Sequence, residues 1–425
     1  MKVKQTALIA FCLMPALLLT SCLNSQVEED ITSTARTNYD MRSDLQPERL
    51  TIAMWDFSWL YMHYEGGAFE DLGLALDELK ERGFNTVRID AFPMIIGQLE
   101  SEQDNFTIKG DPLRPWGPSD VDRDHTIVSE LIEFMSLAKQ KDIYVILSTW
   151  NMERLDYPDL LAAYSSFSAY WQAWESTLTI LDDNQLLDHV LYVDLDQEFP
   201  YFSPFSEEID QLGISPKAEG NAMDQAGAIQ PGFGWNREQL DYVKKYLSSS
   251  LKHFQQLYPG LRFTFSLTSY WKEIRSLDIR NFDVLELHIW LTSSARFEDR
   301  TGFGQLQKDR GDHDYSDYMA RINAAMHSSR PMLLKDMHNQ LQFAREWSEE
   351  IAAPLTTTEA WGPWFHMDHP DMDWQWLYDW CEQCMELSSQ YGFWGSTPWN
   401  YSHRYWANWE NIEWYQKVNS QFLNN

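Results

Sequence analysis

Eight short runs rich in β-branched and apolar residues recur from residue 50 onward, separated by helical patterns and long connections. The runs span residues 50–55, 86–91, 143–148, 191–196, 262–267, 284–289, 354–359 and 392–397. Alternation of this kind sets strands in parallel and makes the helices their crossovers. Eight such units close on themselves, so the expected fold class is α/β, a (β/α)8 TIM barrel. The helices fit that frame. Residues 70–82 carry Leu72, Ala75, Leu76 and Leu79 at helical spacing and stop at Gly83, a residue suited to ending a helix just before the second run. Residues 127–141, 236–258 and 337–351 repeat the pattern. With 425 residues, 44% of them hydrophobic, residues 50–425 can bury one large core.

Chain length is distributed unevenly between the two sets of turns. Segments 92–124, 199–235, 291–312, 360–371 and 399–408 all follow strands and precede helices, whereas a return such as Arg82-Gly83-Phe84-Asn85 is tight. In a barrel the strand-to-helix connections share the C-terminal face, where active sites are built. The fourth run leads into Gln197-Glu198 and the seventh into Thr358-Glu359, placing two carboxylates on one rim. Such a pair can flank a sugar and divide glycosidic cleavage between a nucleophile and an acid/base. Phe199 and Trp361 adjoin the two glutamates. Burial among aromatics helps an acid keep its proton, and a neighbouring Arg keeps a nucleophile ionised.

These residues carry a resemblance to clan A glycoside hydrolases, and more narrowly to the cellulase-like proteins related to glycoside hydrolase family 5. The resemblance implies that Glu198 is the acid/base and Glu359 the nucleophile. Gly83-Phe84-Asn85-Thr86-Val87-Arg88-Ile89-Asp90 looks like the clan's strand-two signature, which gives Arg88 the support of the nucleophile. His288, in Leu287-His288-Ile289-Trp290, stands where strand six offers a His or Tyr. Trp399, in Thr397-Pro398-Trp399-Asn400, matches the strand-eight Trp that floors the sugar subsite. The clan's usual Asn before the acid/base is Gln197, whose longer amide can still reach a sugar 2-hydroxyl. The expectation is a retaining, cellulase-like glycosidase that cleaves β-glycosidic bonds in a poly- or oligosaccharide, with no cofactor and no metal. A catalytically inactive glycan-binding barrel and a metal-dependent hydrolase are the alternatives.

Several residues have competing readings. Glu286 faces the same side as His288 and rivals either carboxylate, while Arg88 could instead neutralise Asp90 or Glu286 inside the barrel. His366 and His369 with Asp368 and Asp371 could be read as a metal cluster, but they sit in a loop without the helical frame of a zinc motif. Cys381 and Cys384 form a C-x-x-C within an amphipathic helical pattern, where two small buried residues are the simpler reading. The chain has 20 tryptophans, more than a core needs. Trp55, Trp59, Trp116, Trp150, Trp290, Trp361, Trp364, Trp394, Trp399 and Trp406, with Tyr401, map to strand ends or the long connections, where indoles can stack on pyranose rings. Substrate-binding roles are therefore expected for Trp150, Trp290, Trp361 and Trp399, alongside Arg88, Gln197 and His288.

The amino terminus reads as an address. Lys2 and Lys4 precede an apolar run over residues 7–19, too short to span a bilayer, and Leu19-Thr20-Ser21-Cys22 closes it. This resembles a bacterial lipoprotein signal peptide over residues 1–22, with Cys22 as the lipidated residue. Residues 23–49 read as a flexible tether. The acids at 28–30 behind Cys22 direct the expectation to a secreted lipoprotein anchored in the outer membrane, a monomer that meets the membrane only through its lipid. Asp and Glu number 64 against 33 Lys and Arg, a net charge of −31, which disfavours nucleic acid and other polyanions. A carbohydrate partner fits, and an anionic polysaccharide would need a local basic patch from Arg88, Arg114 or Arg404.

Overall fold

The computed structural model describes residues 45–99, 105–112, 114, 116–151, 157–213, 234–304, 315–364, 368 and 373–425. Its strands are β1 (Leu50–Asp56), β2 (Thr86–Asp90), β3 (Tyr144–Ser148), β4 (Val190–Asp194), β5 in two pieces (Phe263–Thr264 and Ser266–Leu267), β6 (Leu285–Leu287), β7 (Leu355–Thr357) and β8 (Gly395–Ser396). Neighbours pair in parallel all the way round. The first piece of β5 pairs with β4 through Val193 and Phe263, and the second with β6 through Ser266 and Glu286. The two ends of the nine-stranded ladder are thus halves of one strand, which closes the sheet into an eight-stranded barrel.

Helices alternate with these strands: α1 (Leu72–Glu81), α2 (Ile127–Gln140), α3 (Phe167–Asp183), α4 (Arg237–Leu257), α5 (Trp271–Ser276), α6 (Tyr315–Ile351), α7 (Gln375–Gln390) and α8 (Ile412–Asn424). Their starts follow from capping chemistry. Asp71 accepts from the Leu74 amide, Ser166 from that of Ala169, and Asn236 with Gln239 forms a reciprocal capping box on α4. Each satisfies an otherwise orphaned amide, worth about 1 kcal/mol. Gly83 (φ 80°) turns the chain from α1 back into the barrel. Four other returns carry the same left-handed backbone on Asp142, Gln185, Asp278 and Ala352.

One helix corrects the sequence reading. α6 begins at Tyr315, well before residue 337, and runs through Pro331. Proline removes an amide donor and crowds the preceding turn, so on sequence alone it argues for a break. Here the turn is braced from α7: Arg330 bonds the Asp379 carbonyl at 3.1 Å and Gln383 Oε1 at 2.9 Å, with its guanidinium 5.5 Å from the Trp380 ring centroid.

Two apolar clusters hold the fold. The larger lies between barrel and helices, joining outward strand residues such as Trp55, Val87 and Leu147 to Leu76, Phe134, Trp174, Leu247 and Trp380. The smaller plugs the N-terminal end of the barrel with Leu45, Leu50, Ile52, Ile146, Leu191, Tyr192, Val284 and Trp394. Leu45 is part of that plug, the Trp394 indole donates to the Pro47 carbonyl at 2.9 Å, and Arg49 donates to the Phe393 carbonyl at 3.1 Å. Residues 45–49, expected to belong to a flexible tether, are thus packed against the barrel, and residues 23–44 lie outside the described residues. Cys22 and the signal segment lie outside the described residues. Cys381 and Cys384 are free thiols buried in α7, as two small core residues should be. Among the described residues no helix is long and apolar enough to cross a membrane.

Candidate active site

Above the apolar plug the barrel interior turns polar, and its rim is backbone-strained. Just beyond or at the C-terminal ends of β1 to β5 stand Asp56 (φ 42°), Phe92 (φ 51°), Asn151 (φ 48°), Glu198 (φ 48°) and Tyr270 (φ 57°). A left-handed L-residue costs on the order of 1 kcal/mol, and such strain collects where side-chain direction matters to function. Two of the five are the carboxylates Asp56 and Glu198.

Arg88, wholly buried on β2, organises the centre. Its Nε and Nη2 donate to Asp56 Oδ1 and Oδ2, both at 2.7 Å. Nη2 also donates to Glu359 Oε1, and Nη1 to Thr358 Oγ1, with His288 Nε2 at 3.1 Å from Nη1. All five guanidinium N–H groups are thereby used. Because Arg only donates, His288 Nε2 must accept, which puts the imidazole proton on Nδ1. That nitrogen lies 2.8 Å from Glu198 Oε1 and 3.7 Å from Glu359 Oε1. Gln197 Nε2 adds a further donor to Glu359 Oε1. The Glu198 amide is held by Ser266 Oγ at 3.0 Å. Glu198, His288 and Glu359 each present one atom within 4.8 Å of the others.

Burial pushes the Glu198 carboxyl up to about 7, against the pull of Arg88. Glu359 is pushed up to about 8, again chiefly by burial, with His288 and Arg88 opposing and Glu198 reinforcing. Charges this close titrate as a pair. When one proton remains it belongs on Glu198, since Glu359 Oε1 receives N–H bonds from Arg88 and Gln197 that favour its ionised form. Burial also lowers His288, so its imidazole stays neutral near pH 7.

The structure brings together Glu198, Glu359, Arg88, Gln197 and His288, and it revises several expectations. Arg88 pairs with Asp56 and Glu359, not with Asp90 or Glu286, and all its donors are engaged by protein groups. Asp90 instead accepts from the Phe92 and Trp150 amides at 2.8 and 2.9 Å. Trp361 is 0% exposed, with its indole donating to the Thr397 carbonyl at 2.8 Å, so it offers no stacking face. Trp55 and Trp59 are equally closed. Trp150 uses its indole N–H on Asp56 Oδ2 at 2.6 Å and Trp290 is 4% exposed. Trp399 is 1% exposed, and its indole N–H has no partner among the described residues. Of the ten tryptophans mapped to that rim, all but Trp364 are buried, and Trp394 lies in the plug at the opposite end. Tyr405, at 49%, is the large aromatic left open on that face among the described residues.

Asp56 and Thr358 were missed by the sequence reading. Asp56 could have been found by the rule that located the glutamates, since it closes the first run on the same rim. Of the other metal candidates, His366, His369 and Asp371 lie outside the described residues, and Asp368 accepts from the Trp374 indole and the Ala407 amide. Glu198, His288 and Glu359 could offer three ligand atoms, yet the donor set suits a cation poorly. His288 Nδ1 carries a proton, and the Arg88 charge already sits against Glu359.

The closed (β/α)8 barrel thus carries Glu198 and Glu359 at its mouth, beyond strands four and seven. Residues 52–423 match the family described as sugar-binding cellulase-like, and the chain belongs to it. A crystal structure from Parabacteroides distasonis, provisionally described as a glycoside hydrolase, is 26% identical over 88% of this chain and 93% of that one, with a TM-score of 0.73. A glycoside hydrolase family 5 mannosidase from Rhizomucor miehei is 10% identical over 88% of this chain and 93% of its own, with a TM-score of 0.45. An endo-1,4-β-D-mannanase from Thermotoga petrophila is also 10% identical, over 82% and 87%, at 0.44. No curated protein matches the chain.

Proposed function

We propose that this chain is a retaining glycosidase acting on β-linked glycans, with Glu359 as nucleophile and Glu198 as acid/base. The observation that carries the proposal is the 4.8 Å limit within which oxygens of Glu198 and Glu359 meet. Retaining pairs stand about 5–5.5 Å apart, whereas inverting pairs need about 6.5–9.5 Å to admit a water. In the first step the Glu359 carboxylate attacks the anomeric carbon as the glycosidic C–O bond breaks, and the Glu198 proton goes to the leaving oxygen. In the second, Glu198, now ionised, takes a proton from the water that attacks the anomeric carbon and displaces Glu359. Gln197 and Arg88 hold the nucleophile's Oε1, and neutral His288 donates to Glu198.

Azide rescue on a panel of p-nitrophenyl β-glycosides tests the roles. Glu359→Ala and Glu198→Ala should each lose about a thousandfold or more in kcat. Azide should restore turnover in both, giving an α-glycosyl azide from the Glu359 variant and a β-glycosyl azide from the Glu198 variant. Full turnover in Glu359→Ala without azide would move the nucleophile elsewhere. Glycan binding with no turnover in the wild-type chain would favour the inactive, glycan-binding barrel.

A further inference from the structure

Glu286, 1% exposed on β6, lies beneath the glutamate pair. Its Oε1 accepts from the Thr358 amide at 2.7 Å and the Thr358 hydroxyl at 2.8 Å. Its Oε2 accepts from the Tyr192 hydroxyl at 2.7 Å and from Thr356 Oγ1. Four converging donors match what an ionised carboxylate accepts, and an amide in its place would turn an N–H against one of them. Thr358 is the link to the reacting centre. It immediately precedes Glu359, and the hydroxyl it donates to Glu286 accepts from Arg88 Nη1, while Nη2 of the same guanidinium holds Glu359.

We infer that Glu286 is a positioning residue for the nucleophile: through Thr358 it fixes both the backbone one residue before Glu359 and the hydroxyl that aims Arg88. The inference rests on the reading of Glu359 as nucleophile. It also settles the rivalry between Glu286 and the paired glutamates, because a carboxylate saturated by protein donors has no lone pair to offer a sugar. Glu286 contributes charge as well as geometry. Facing it are Arg88 from β2, Tyr192 and Asp194 from β4, His288 just past the end of β6 with Nε2 at 3.9 Å, and Glu359 beyond β7, with Asp56 from β1 across the guanidinium. Its negative charge offsets the Arg88 field, so its loss leaves the glutamate pair under a more positive potential.

The test compares Glu286→Gln, Glu286→Asp and Thr358→Val on the same aryl glycosides. Glu286→Gln should lower kcat about tenfold or more with KM within about twofold, and move both limbs of the pH profile down by about half a unit. Glu286→Asp keeps the charge and should leave the limbs in place. Thr358→Val keeps Glu286 but cuts its link to Arg88, so kcat should fall without a shift in the limbs. Titration of 13Cδ-labelled glutamates by NMR reads the same shift without turnover. A folded Glu286→Gln with wild-type kcat and titration overturns the inference, as does Thr358→Val with wild-type kcat. Wild-type turnover in Glu359→Gln would instead sink the nucleophile assignment on which it rests.

Discussion

Arg88 is the cation that meets Asp56, Glu359 and His288 at the barrel mouth, and near it lie the further buried acids Asp194 and Glu286. Burial desolvates these carboxyls, and the one guanidinium only partly offsets it, so Asp194, Glu198 and Glu359 stand above ordinary carboxylate values. The sign for activity follows. On the roles proposed, no nucleophile exists below about 7, where both Glu198 and Glu359 hold protons, and no acid remains above about 8, where both are ionised. A plot of kcat/KM against pH should therefore be a narrow bell centred between those values. A profile that is flat between about pH 5 and 9 would show that the pair does not control turnover. Much of this centre was legible beforehand, since Gln197, Glu198, His288 and Glu359 follow strand ends on one face and Arg88 stands within the second strand. What a linear reading could not supply was the partner of Arg88. Asp56 and Arg88 meet across the paired strands β1 and β2, and nothing local in either segment names the other.

At the scale of elements, the same logic separates what the chain announces from what packing imposes. All eight strands and the Gly83 stop of α1 were readable because each depends on residues within a few positions. The start of α6 was not, because Pro331 is tolerated through contacts with α7, a segment about fifty residues on. The tryptophans misled for a related reason: position on a rim was legible, but whether an indole faces solvent or packs inward was not. The returns into the barrel give a prediction of their own. Ala352 holds φ 55° directly after α6, where Gly83 and Gly392 serve the corresponding turns before β2 and β8. Ala352→Gly removes left-handed strain of about 1–2 kcal/mol and gives back about 0.4–1 kcal/mol of unfolded-chain entropy. A net stabilisation of up to about 1 kcal/mol should appear as a higher urea midpoint with an unchanged m-value.

For the molecule as a whole, buried acids and buried histidines pull stability in opposite directions with pH. Asp194, Glu198 and Glu359 are raised by burial to about 6, 7 and 8. Folding therefore favours their protonated forms, a contribution fully present below ordinary carboxylate values and lost as pH rises through those values. His288 and His403 are lowered by burial, the latter to about 3, so they penalise the fold once the unfolded chain begins to charge below about pH 6.5. Lowering pH from about 8.5 to about 6.5 should add on the order of 2 kcal/mol, a Tm gain of a few degrees. Calorimetry of the wild type and Glu359→Gln checks this. If the variant keeps the full slope, the source is the diffuse repulsion of a −31 chain and not the active-site pair.

The plug at the N-terminal end of the barrel also sets the direction in which the molecule looks. Residues 45–49 enter there, and Arg49 rests 5.0 Å above the ring of Phe422 near the end of α8, so both ends of the described barrel meet at one pole. Glu198 and Glu359 open at the other. A ligand at that mouth therefore approaches from the pole opposite both ends of the described barrel, and an attachment at either of those ends would leave the mouth unobstructed.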